Sequence, residues 1–164
     1  MATKRRRVEE GVDGMELLVC RNPKATHRYE IEEVIEVGMV LQGSEVKSLR
    51  ARRADLEGSY AVVQDGQLWL HKMHIAPYEQ AGPSTQHDPK RSRKLLAHRH
   101  EIQKLQGRLT AKGFTLVPLQ VYFRNGVCKA QLGLGKGRKV HDDRESIRRK
   151  VELREARDAV RGKR

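Results

Sequence analysis

The Asn125-Gly126 pair constrains this chain more than any other two residues. Asn-Gly is a favoured type I′ hairpin turn, because both central residues must take positive φ. Placed there, it sets Phe123 opposite Cys128, Val121 opposite Ala130, Leu119 opposite Leu132 and Val117 opposite Leu134. All eight are apolar, whereas Gln120, Tyr122, Lys129 and Gln131 fall on the other face. A one-residue slip would turn every apolar side chain outward, so the register is specified. Asp65-Gly66 offers the same turn earlier, with Val63 opposite Leu68 and Ala61 opposite Leu70. Tyr60, Val62, Trp69 and His71 take the second face of that hairpin.

Other segments read by their periodicity. From Tyr29 the pattern alternates, with Tyr29, Ile31, Ile35 and Val37 on one face and Glu30, Glu32 and Glu36 on the other; Glu33 and Val34 break it. This predicts a half-buried strand. Gly38 is expected to bend it before residues 40–41. Next comes G-S-E-V-K-S-L-R, residues 43–50. A turn glycine, Ser44 as N-cap and Glu45 in the first turn precede Lys47, Arg50, Arg52 and Arg53, which predicts a short helix over residues 43–53, capped and charged to suit its dipole. Residues 77–90 are rich in Pro, Gly, Ser and Thr and read as a loop. Leu95, His98, Ile102, Leu105 and Leu109 then recur at helical spacing, with Gly113 as the stop. Five or six short strands, two tight hairpins and one intervening helix suit a mainly β fold, a small closed barrel of the oligonucleotide/oligosaccharide-binding (OB) type with flanking helices.

Charge narrows the partner. Thirty-four Lys and Arg against 21 Asp and Glu leave a formal +13, and a strongly basic small protein most often meets a polyanion, since each neutralised phosphate releases counterions. A membrane surface would want bulky apolar anchors on a basic helix, and the most basic segments carry few. The expectation is nucleic acid and no membrane. Hydrophobic residues make up 37% of the chain, enough for one modest core. That core is expected within residues 17–135, preceded by a mobile basic arm at residues 1–16. Residues 136–164 hold 12 Lys or Arg, 6 Asp or Glu and no aromatic residue. Such a tail cannot bury enough apolar surface to offset its ordering entropy. It is expected to be disordered in solution and helical on a partner. Cys20 and Cys128 lack partner spacing and read as reduced thiols of a monomeric, cytoplasmic protein.

Little supports catalysis. His71 and His74 are three apart on a strand, and His98 and His100 two apart on a helix, so each pair is expected to diverge. No cysteine sits near either at zinc spacing, so neither metal nor cofactor is expected. G-L-G-K-G (133–137) lacks the Lys-Ser/Thr of a phosphate loop. The chain is not expected to be an enzyme. RNA chemistry has more material. Lys24, His27 and Arg28 offer phosphate donors, and the amide of Asn22 can read a base edge; a polar strand entry is the equal alternative. Glu45, a lone acid in a basic field, can accept from exocyclic amines or ribose hydroxyls, with a first-turn helix acid as the plainer reading, and Lys47 lies two residues on. Arg91, Arg93 and Lys94 need no special geometry to engage phosphates, and a solvated basic helix start is the competing reading. Tyr60, Trp69 and Tyr122 either stack on bases or pack beneath a helix.

Three stretches together resemble the SsrA-binding protein (small protein B) family: R-N-P-K-A-T-H-R-Y-E-I at 21–31, G-S-E-V-K-S-L-R at 43–50 and G-L-G-K-G-R-K-V-H-D-D-R at 133–144. The resemblance spans residues 22–144 and implies an OB-type barrel that partners transfer-messenger RNA in rescuing stalled bacterial ribosomes. It implies that residues matching Asn22 and Glu45 hold the tRNA-like domain, with residues 88–96 as a second RNA-facing element. Gly135, Lys136, Gly137, Arg138 and Lys139 match the family's Gly-Lys-Lys element, and His141, Asp142 and Arg144 its His/Tyr-Asp-Lys-Arg element. That tail would enter the empty messenger channel of the ribosome and fold there, with His141 against the decoding centre. Pro23, Thr26, Arg138 and Asp143 depart from the family's usual residues, lysine standing at the last two. The runner-up is a generic basic ribosome-associated or single-strand RNA-binding protein.

Overall fold

Both tight turns form as the glycines dictate. Asp65 and Gly66 take φ of 51° and 71°, and Asn125 and Gly126 take 50° and 73°. The computed structural model describes residues 14–161 apart from 112 and 139. In chain order the elements are β1 (Met15–Arg21), α1 (Pro23–Arg28), β2 (Tyr29–Met39), α2 (Gly43–Arg50), β3 (Ala54–Asp55), β4 (Tyr60–Gln64) and β5 (Gln67–His71). Then follow β6 (His74–Ile75), β7 (Arg93–Leu96), α3 (Arg99–Leu109), β8 (Phe114–Arg124), β9 (Val127–Gly137) and α4 (Val140–Arg161). The fold is mainly β with flanking helices. From β8 the pairings run through β4, β5, β7, β2 and β9 and return to β8, with β1 added on the outside of that ring. No described helix is long and apolar enough to cross a membrane.

The β4–β5 register is as expected, with Val63 opposite Leu68 and Ala61 opposite Leu70. The β8–β9 register holds only near the turn. Phe123 faces Cys128 and Val121 faces Ala130, but beyond them Pro118 faces Leu132, Val117 faces Gly133 and Leu116 faces Leu134. Leu119 is the extra residue of a β-bulge between Pro118 and Gln120, beside a proline that cannot donate to the ladder. A second irregularity lies between Ile31 and Glu33 of β2, at the place where the alternation breaks.

These two bulges separate two apolar clusters. The main core gathers Val37, Leu49, Leu68, Leu70, Leu95, Leu105, Leu116, Val121, Phe123 and Leu132. A smaller cluster of Ala25, Val117 and Leu119, with Tyr29 and Ile31 packed against it, lies under α1. So Leu119 and Val117 leave the main core to hold a helix. Glu32 and Glu33, re-aimed by the β2 bulge, meet Arg108 and Lys104 of α3, each at 2.6 Å.

Several elements differ from expectation. Leu95 lies in β7, paired with Leu68 and Met39. The helix begins only after His98, where His98 and Glu101 close a capping box, and it ends at Leu109, before Gly113. Gln42, not Ser44, caps α2, its backbone N–H donating to Glu45 at 2.8 Å. Strand β1 takes in Met15 and Glu16, the last two residues read as an arm; residues 1–13 lie outside the described residues. Strand β9 continues to Gly137, so Lys136 and Gly137, read as tail, pair with Glu30 and Tyr29 of β2. Tyr122, read as exposed, is fully buried, its hydroxyl donating to Glu36.

Candidate nucleic-acid interface

The first site builds from α1. Asn22-Pro23 starts it, proline suiting the first turn because its missing N–H would be unpaired there anyway. The Asn22 backbone N–H donates to the Leu119 carbonyl at 2.8 Å and its side-chain amide to the Pro118 carbonyl at 3.2 Å, so the bulge of β8 is what positions Asn22. A cavity of about 250 Å³ opens beside it, lined by Asn22, Lys24, Arg28, Glu57, Tyr60 and Thr115 among others. Residues far apart in sequence therefore meet here. Lys24 forms an ion pair with Glu57 across the opening. His27 is exposed on the same helix but does not line the cavity. Tyr60 also faces the His71 ring, with centroids 5.4 Å apart.

The second site centres on Glu45. This carboxylate is fully buried and saturated. Oε1 accepts from Arg93 Nε at 2.8 Å and Arg91 Nε at 3.3 Å. Oε2 accepts from Arg91 Nη2 at 2.7 Å and the Gln42 N–H at 2.8 Å. Burial pushes its pKa up, but hydrogen bonds from Arg91, Gln42 and Arg93 outweigh that and hold it below the usual carboxylate range. Arg93 is itself buried, and its Nη1 and Nη2 donate to the carbonyls of Met73 (2.7 Å) and Pro89 (3.1 Å). The acceptor role expected of Glu45 would first require an arginine to let go. What Glu45 does in this fold is hold Arg91, whose side chain keeps 29% of its surface exposed.

Around this hub the loop after β6 is pinned to α2. His87, buried, places Nδ1 2.8 Å from Ser44 Oγ and Nε2 3.1 Å from the Ile75 carbonyl. Exposed Lys47 lies over the Tyr78 ring at 5.2 Å. Lys94 is half-buried on β7, opposite Trp69. A second, open cavity of about 500 Å³ is lined by Asp55, Glu57, Gly58, Lys72, His74 and Lys90. Glu57 and Gly58 line both cavities. Among these residues, sequence reading missed Glu57; its signal was an acid next to a turn glycine, too common to single out.

The tail leaves β9 beside α1. The Arg138 N–H donates to the Arg28 carbonyl at 2.8 Å. Gly135 sits where a Cβ would come within 2.4 Å of the Glu30 carbonyl oxygen. Lys136 lies over the Phe114 ring at 4.5 Å, and Gly137 closes the strand. Lys139 lies outside the described residues, while His141, Asp142 and Arg144 fall in the first turns of α4. Further along α4, Ile147, Val151 and Leu153 are exposed.

Among the described residues no group of three His, Cys, Asp or Glu could hold a metal ion. Contrary to expectation, the rings of His98 and His100 stack, with centroids 5.6 Å apart, because His98 lies just outside the helix. Burial pushes the thiols of Cys20 and Cys128 up to about 12, far from a nucleophilic state.

The family model described as SmpB protein matches residues 19–162. The SsrA-binding protein of Geobacter metallireducens is 51% identical over 146 residues, covering 89% of this chain and 95% of its own. That of Bacillus subtilis is 51% identical over 144 residues, covering 88% and 92%. A chain of the solved structure "tmRNA-SmpB: a journey to the center of the bacterial ribosome" is 46% identical, covers 79% of this chain and 94% of its own, and superposes with a TM-score of 0.64.

Proposed function

The chain belongs to the SmpB family, and from that premise we propose that it is an RNA-binding factor of trans-translation. It binds the tRNA-like domain of transfer-messenger RNA and delivers it to stalled ribosomes. The observation that carries this reading is the cleft beside α1, where Asn22, Lys24 and Arg28 meet Tyr60 and Thr115. An amide, cations and an aromatic ring in one recess are the groups that recognise unpaired nucleotides, by base edge, phosphate and stacking. His27 and Lys47 add cations on the exposed faces of α1 and α2. Arg91 presents its open edge under the control of Glu45 and Arg93, and Lys94 lies on the adjacent strand.

The ring of six strands supports a closed barrel of the OB type. The tail supports a separate task. None of the described side chains of α4 makes a hydrogen bond or ion pair with the barrel, and those of residues 147–157 are exposed. A helix with its described side chains in solvent gains little from tertiary packing to hold it. In this reading it is disordered in free protein and folds along the RNA-walled messenger channel. Gly135, Lys136, Gly137 and Arg138 set its exit from the barrel, and Lys139, His141, Asp142 and Arg144 contact the ribosome. Chemistry then belongs to the partners, in the cytoplasm where ribosomes stall.

Removing residues 139–164 tests the division of labour. The shortened chain should bind the tRNA-like domain as before and fail to support peptide tagging on stalled ribosomes. Equal loss of both activities would contradict it.

A further inference from the structure

The acid expected to read RNA, Glu45, is buried with every lone pair engaged. An open carboxylate lies elsewhere on the same surface. Glu57 follows β3 on a turn fixed by Asp55, whose carboxylate accepts the Glu57 N–H at 2.9 Å. Its side chain is 58% exposed and, among the described residues, paired only with Lys24. It stands on the lip shared by the α1 cleft and the open cavity of Lys72, His74 and Lys90. Every other charged side chain lining the α1 cleft is a cation, Lys24 or Arg28.

An acid there works against a polyanion unless the bound state returns something for it. We propose that Glu57 is a specificity-determining residue: its carboxylate accepts a hydrogen bond from a ribose 2′-hydroxyl or an exocyclic base amine of the bound RNA, while Lys24 turns from Glu57 to a phosphate. The free protein holds both groups in place through their mutual ion pair. Exposed pairs of this kind hold weakly, so an incoming RNA that supplies both partners exchanges one contact for two. An RNA that supplies only a phosphate gains Lys24 and leaves Glu57 facing its own charge. The carboxylate therefore discriminates by geometry, because phosphate alone cannot satisfy it.

This rests on the reading of the chain as a binder of the tRNA-like domain, and one experiment separates the two. Full-length wild-type, Glu57→Ala and Lys24→Ala proteins are titrated with the tRNA-like domain and with bulk single-stranded RNA across a range of salt. Hydrogen bonds to charged groups predict that Glu57→Ala weakens the tRNA-like domain by about tenfold, and bulk RNA should bind as well or better with one repelling charge gone. Lys24→Ala should weaken both and shallow both salt slopes by about one phosphate contact, ~0.7–0.9. Opposite signs for the two RNAs in Glu57→Ala support the proposal. If both RNAs bind tighter, Glu57 is only a repelling acid and the inference fails, while wild-type selectivity keeps the functional reading standing. If wild-type shows no selectivity, the functional reading fails, and the hydrogen bond assigned to Glu57 stands only if Glu57→Ala still weakens the tRNA-like domain and leaves bulk RNA unweakened.

Discussion

Glu45 joins two parts of the chain that are remote in sequence: the Gln42 cap of its own helix, α2, and the pair Arg91 and Arg93 around the start of β7. The carboxylate and the Arg93 side chain are both fully buried. Replacing both by apolar groups could be neutral, but removing one leaves the other charged and unpaired. Glu45→Ala should therefore cost about 3–5 kcal/mol of folding stability, read by urea denaturation, and a loss under about 1 kcal/mol would refute the buried pair. The acid limb carries the same signature. The folded pKa lies below the unfolded carboxylate value of about 4.3. Stability from Glu45 is thus complete above that value and lost as pH falls through the folded pKa. Glu45→Gln should flatten the acid loss of stability, and an unchanged pH profile would contradict the assignment. Nothing in G-S-E-V-K-S-L-R signals this burial, because the partners stand 46 and 48 residues away.

At the scale of elements, what was legible follows local rules. Asp65-Gly66 and Asn125-Gly126 declared their turns, and one face of each hairpin set the near register. The start of α2 followed from Gly43, but its basic end misled: the helix stops at Arg50 and Arg52 takes a φ of 57°. What failed depended on neighbours. Leu119 reads as one more inward residue of β8, yet the cluster under α1 draws it out, and the register shifts by one. Leu95 and Leu96 are a short apolar run, ambiguous between helix and strand, which the edges of β2 and β5 settle. Helix α1 had a cue in Asn22-Pro23, but six residues carry no periodicity. Close approach at the second cluster gives a sharp prediction. A Cβ on Gly135 would lie 2.4 Å from the Glu30 carbonyl oxygen, whereas one on Gly43 meets nothing within 4 Å. Gly135→Ala should destabilise by about 1–3 kcal/mol, and Gly43→Ala should stay within about 0.5 kcal/mol. Thermal melts of the two variants decide it, and equal effects would contradict the crowding of β2 on β9.

For the whole molecule, a formal +13 ensures some affinity for any RNA and by itself selects none. Selection falls to the few groups whose geometry is fixed: Asn22 held by the β8 bulge, the cleft beside α1, and Arg91 held by Glu45. Five exposed cations, Lys24, Arg53, Lys104, Arg108 and Arg124, are already paired with acids, which lowers indiscriminate attraction. Asn22→Ala should weaken the tRNA-like domain by about 1–3 kcal/mol with a nearly unchanged salt slope, since an amide releases no counterion. A slope shallower by a full contact would mean that Asn22 serves only to place cations.

Competition binding separates a selective partner of the tRNA-like domain from an indiscriminate polyanion binder. Labelled tRNA-like domain of transfer-messenger RNA, bound to the full chain at physiological salt, is challenged with excess bulk tRNA and single-stranded RNA. Retention of the labelled domain is the predicted result. Ready displacement with a steep salt slope would mark a nonspecific polyanion binder and contradict the proposed function.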